Sequence, residues 1–87
     1  MNKLKANKRK VTGVIVPSGW TDDGRVTRIA IFTTDEKEYL IDLKNKGKEL
    51  MKQINAKVEL QGEVKSRIDG RSSIFISSYR LIDANTN

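Results

Sequence analysis

"NKGKELMKQINA", Asn45 to Ala56, decides how the rest of the chain is read. Leu50, Met51 and Ile54 fall at the i, i+1, i+4 spacing of one helical stripe, lysine and glutamate fill much of the remainder, and Asn45 is placed to cap the first turn. On either side the period is two. Upstream, "VTGVIVP" (Val11 to Pro17) is dense in β-branched residues and ends at a proline that cannot donate to a ladder, which gives a first strand. "RVTRIAIFTT" (Arg25 to Thr34) is a second, with Thr27, Ile29, Ile31 and Thr33 on one face and Val26, Arg28, Ala30, Phe32 and Thr34 on the other. "TDEKE" turns the chain into "YLIDL" (Tyr39 to Leu43), the third. Downstream, Val58, Leu60, Gly62 and Val64 alternate with Lys57, Glu59, Gln61, Glu63 and Lys65 as a half-buried fourth strand. "SRIDGRS" is an Asp-Gly turn, and "SIFISSYRLI" (Ser73 to Ile82) is the fifth strand.

Three strands, one helix and two strands are the order of an all-β, five-stranded Greek-key barrel of the OB type, with its α-helix between strands three and four. An SH3-like barrel normally lacks a full helix at that place, and a ferredoxin-like fold needs two helices. Gly13 and Gly62 sit where the strands of a small barrel bend sharply. Residues 11–83 are therefore expected to form the barrel, flanked by a disordered basic tail at 1–10 and a disordered C-terminus at 84–87.

"AKVELQGEVKSRIDGRSSIFISSYRLI", Ala56 to Ile82, resembles the last two strands of small bacterial and archaeal OB-fold domains, the anticodon-binding-like group among them. In these a "V-x-L-x-G-x-V" strand precedes a hairpin and an "I-F-I"-type strand. The resemblance extends over most of residues 11–83 as a pattern, without a cold-shock-type aromatic motif. It implies the general habit of the architecture, which is to bind single strands or oligosaccharides across the outer face of strands two and three and the loops beside it.

Composition narrows the chemistry. A chain of 87 residues makes one domain. Without Cys or His it lacks thiol nucleophiles, imidazole bases and the usual nitrogen and sulfur ligands for metals. The adjacent carboxylates Asp22 with Asp23 and Asp35 with Glu36 lie in turns, where side chains diverge into solvent, and no calcium-loop or phosphate-loop spacing is present. The expectation is a binding module, not an enzyme, with no cofactor and no metal. No apolar run approaches the roughly 20 residues of a membrane helix, and the apolar part near the start is too short and glycine-broken for a secretion signal, so a cytoplasmic location is expected. Net charge is +6, from 17 basic and 11 acidic residues. Lys3, Lys5, Lys8, Arg9 and Lys10 fall in the first ten positions, which leaves residues 11–87 with 12 basic against 11 acidic. The body is thus expected to be nearly neutral.

Candidate site residues follow from the strand faces. If Ile29 and Ile31 point inward, Arg28 and Phe32 point outward on strand two; a bulged strand would instead turn Phe32 into the core. Trp20, the only tryptophan, lies with Arg25 in the turn-like "SGWTDDGR", where it is available either to stack on a ligand or to cover an open barrel end. "VKSRIDGRSS" carries Lys65, Arg67 and Arg71 against Asp69. Aromatic planes and cations together are what single-stranded DNA or RNA requires. Asp22 and Asp23 beside Trp20 would repel phosphates, which keeps a second reading open, that of a module docking a partner protein through Trp20. Tyr39 and Phe75 are read as core.

Overall fold

In the computed structural model, which describes residues 8–82, the order is β1 (Lys8–Trp20), β2 (Val26–Thr33), β3 (Glu38–Ile41), a 3-10 helix (Asn45–Lys52), β4 (Lys57–Ser66) and β5 (Ser72–Leu81). The sheet closes on itself as β1-β2-β3-β5-β4, with every pair antiparallel except β3 with β5. This is the expected all-β, OB-type barrel. Among the described residues no helix is long and apolar enough to cross a membrane.

Closure depends on β1 serving two neighbours. Its first half pairs with β4 from Lys8 opposite Glu63 to Val14 opposite Lys57, and its second half pairs with β2 from Gly13 opposite Thr33 onward. The two ladders overlap at Gly13 and Val14. A Cβ at Gly13 would lie 2.1 Å from the Phe32 carbonyl oxygen, and one at Gly62 would lie 2.1 Å from that of Phe75. Hydrogen is the only side chain that permits these approaches. Inside, Ile15, Ile29, Ile31, Leu60, Ile74 and Ile76 are completely shielded, and Leu50 of the helix joins them as the plug.

Several boundaries differ from the sequence reading. Strand one starts three residues early, so Lys8, Arg9 and Lys10 are paired barrel residues and not tail; their backbone groups are satisfied by β4 whatever their side chains carry. Residues 1–7 and 83–87, which hold the rest of the expected tail and C-terminus, lie outside the described residues. The described segment holds 15 basic and 10 acidic residues, so the body is basic and not neutral. β1 also continues through a register shift around Ser18 to Trp20, which is therefore a strand residue.

The helix is a 3-10 helix and not an α-helix. Eight residues that include Gly47 favour the α form weakly, and Asn45 does not cap it: Asn45 is the first helical residue, at φ 58°, and the preceding Lys44 makes no side-chain cap. Tyr39 is core, as expected. Phe75 is not, because Ile74 and Ile76 take the inward positions of β5 and leave it half-buried on the outer face.

Gly62→Ala is expected to lower stability by about 2 kcal/mol or more, since the new methyl meets backbone and not a movable side chain. Urea unfolding measures this. A loss under about 0.5 kcal/mol would show that β4 and β5 do not approach as described.

Candidate functional site

The three hairpins are built to one plan. "TDDGR" (Thr21–Arg25), "TTDEK" (Thr33–Lys37) and "RIDGR" (Arg67–Arg71) each have Asp third and a cation fifth. In each the first N–H donates to the fifth carbonyl, at 2.8, 2.8 and 2.7 Å, and the fourth N–H donates to the first carbonyl, at 3.0, 2.9 and 3.1 Å. The fourth residue is left-handed in all three, with φ 89° at Gly24, 67° at Glu36 and 84° at Gly70.

The conserved geometry of these turns is held by side chains. The hydroxyls of Thr21 and Thr33 donate to Asp23 and Asp35 and accept the N–H of Arg25 and Lys37, each at 3.0 Å. In the third turn the Arg71 N–H donates directly to Asp69 Oδ1 at 3.1 Å. Those donors, the hydroxyls in the first two turns and the Arg71 amide in the third, hold all three carboxyls below the usual aspartate range. The result is that Arg25, Lys37 and Arg71 leave their turns at equivalent, hydrogen-bonded positions.

Two of these turns share one end of the barrel. β3 lies parallel to β5 with Tyr39 beside Ser72, which brings the Lys37 turn next to the Arg71 turn. Arg71 donates to Glu38 at 3.3 Å across the gap. Arg9 of β1 and Lys65 of β4 reach the same end, where they border a cleft with Lys37, Arg71 and Tyr39. Arg9 and Lys37 were not among the sequence candidates. Lys37 was readable as the last residue of the repeated turn; Arg9 carried no signal, because a charged residue in a lysine-rich start looks like tail until its ladder partner is known.

The sequence candidates divide between the two ends. Phe32 is 49% exposed, so it points outward and not into the core. Its rung neighbours are Val14 on β1 and Glu38 on β3, and Glu38 is the residue that Arg71 holds. Phe32, Lys65, Arg67 and Arg71 therefore belong to one end. Arg67 is engaged with Asp69 at 3.4 Å. Trp20 and Arg25 belong to the other: Trp20 pairs with Val26, six residues from Phe32 along β2, or about 20 Å at the usual strand rise. Arg25 pairs with Asp23 at 3.5 Å, and Arg28 lies between the ends, opposite Gly19. Trp20 is 58% exposed, so it does not act as a buried plug over the barrel.

No protein-family model matches the chain, and a search of curated proteins finds no match.

Two outcomes test the turn design. Glu36→Gly is expected to stabilise the protein by about 1 kcal/mol, because it relieves a left-handed glutamate; thermal unfolding would show a loss instead if the Glu36 side chain supported the turn. In an NMR pH titration Asp69 should ionise below the unfolded value of about 3.9. A folded value that is depressed contributes stability above the unfolded value and loses it as pH falls through the folded one. The Arg71 amide should therefore shift in that acid window, and titration of Asp69 at or above about 3.9 would contradict the clamp.

Proposed function

We propose that this barrel binds single-stranded nucleic acid, with Phe32 as the stacking platform and the neighbouring hairpin cations as backbone contacts. The observation that carries the reading is a half-exposed phenyl ring on the outward face of β2, directly paired with Glu38, the carboxylate that Arg71 holds. The ring packs against its rung neighbours with one half and leaves the other half open to a ligand. Stacked on a base it contributes roughly 1 to 3 kcal/mol, and it tolerates any base because all present a flat face. Arg28, four residues away on the same strand, and Lys65 and Arg71 toward its other end would supply cations to the backbone of a strand crossing Phe32.

A specific observation favours a second use for the other end. Trp20 is exposed next to Asp22 and Asp23, and only Asp23 has a cationic partner among the described residues. Acidic surroundings suit a protein partner better than phosphates, so Trp20 is assigned to docking a protein through its indole.

Phe32→Ala should weaken binding of a fluorescent single-stranded oligonucleotide by about 1 to 3 kcal/mol while lowering folding stability by about 1 kcal/mol or less. With about three phosphate contacts, log affinity should fall against log salt with a slope near −2. A salt-insensitive interaction, or none with DNA or RNA at low salt, would leave the protein-docking reading in its place.

A further inference from the structure

The cleft between the two hairpins has a chemistry of its own. It has a volume of about 740 Å³ and draws cations from four separate elements: Arg9 from β1, Lys37 from the β2–β3 turn, Lys65 from β4 and Arg71 from the β4–β5 turn. One carboxylate, Glu38, lines it, and Arg71 already engages that group. Among the described residues Arg9, Lys37 and Lys65 form no ion pair. Arg9 faces Gly62 across the ladder, so no side chain opposite competes for the space before its guanidinium. Arg9, Lys37 and Tyr39 also line an adjoining hollow of about 320 Å³, which adds the cation Lys10 and one further carboxylate, Asp35, whose charge is already engaged by the Thr33 hydroxyl.

Bringing these charges to one concave place costs repulsion that scattered surface lysines avoid, and a cleft with low-dielectric walls focuses their field on whatever occupies it. Guanidinium forks at Arg9 and Arg71 offer two-point hydrogen bonds, which suit phosphoryl oxygens. Charge selects the kind of phosphate. A monoester carries about −1.5 to −2 at neutral pH, against the single charge of an internal diester, so it matches a cleft with three unpaired cations better. We propose that this cleft binds a terminal phosphoryl group, a phosphomonoester at the end of a strand or on a free nucleotide. Placing the end of a strand there rests on the single-strand reading above; the anion chemistry of the cleft does not.

The full chain is titrated by NMR with inorganic pyrophosphate, and its affinity is measured for one short oligonucleotide ending in hydroxyls, in a 5′-phosphate or in a 3′-phosphate. Pyrophosphate should saturate the amides around Arg9, Lys37 and Arg71. One of the two phosphorylated strands should bind about tenfold tighter than the hydroxyl-ended strand. That gain should disappear in the double variant Arg9→Gln with Lys37→Gln, both exposed side chains, and survive in Phe32→Ala, which weakens all three strands alike. If pyrophosphate saturates the cleft and the hydroxyl-ended strand does not bind, the single-strand reading fails and the cleft assignment stands. A cleft unresponsive to pyrophosphate overturns the inference, and so does a hydroxyl-ended strand that binds as tightly as both phosphorylated ones.

Discussion

Two of the five ladders of this barrel meet at the same two residues of β1. Gly13 and Val14 are paired on both sides at once, to Thr33 and Phe32 of β2 and to Val58 and Lys57 of β4, and the chain can do this only where it coils tightly enough to leave one neighbour for the other. At Gly13 the β2 backbone comes closer than any side chain would allow. This one approach fixes the relative positions of β2 and β4, and with them the order in which β3 and β5 close the remaining gap. A small barrel closed in this way leaves no strand edge unpaired, and its core is aliphatic apart from Tyr39, with Leu50 of the helix as the plug.

Closure also determines where charge collects. Because β3 runs parallel to β5, the hairpin that ends in Lys37 and the hairpin that ends in Arg71 must meet at one end, and β1 arrives there with Arg9. Each of these hairpins is the same turn: an aspartate holds it, a left-handed residue closes it, and the next residue is a cation. The third copy, at Thr21–Arg25, stands at the opposite end beside Trp20, where Asp23 engages its arginine. The barrel is consequently two-ended, with unpaired cations and Phe32 toward one end and an exposed indole among carboxylates at the other.

Much of the fold was legible because it is local. The aliphatic alternation at Val58, Leu60, Gly62 and Val64 and the inward pair Ile29 and Ile31 follow from strand period alone, and the helical stripe at Leu50 separates three strands from two. What was not legible depends on partners distant in sequence. Lys8–Lys10 read as tail because nothing in three charged residues announces a ladder with Gln61–Glu63. Phe75 read as core on hydrophobicity, although parity within β5 had already given the inward places to Ile74 and Ile76. The candidate site was half legible for the same reason: residue types put Phe32, Lys65 and Arg71, which the topology gathers toward one end of the barrel, on one surface with Trp20 and Arg25, which lie toward the opposite end of β2, roughly 20 Å from Phe32.

The proposed site puts ligand recognition at the Phe32 end. Amide chemical-shift mapping of the whole chain with a short single-stranded oligonucleotide at low salt tests this most directly, because it reports both ends of the barrel in one spectrum. The predicted result is a saturable set of shifts at Val14, Phe32, Glu38 and the Lys65–Arg71 hairpin, with Trp20 and its turn unmoved. Shifts confined to Thr21–Arg25 and Trp20, or no saturable shifts at all, would contradict it.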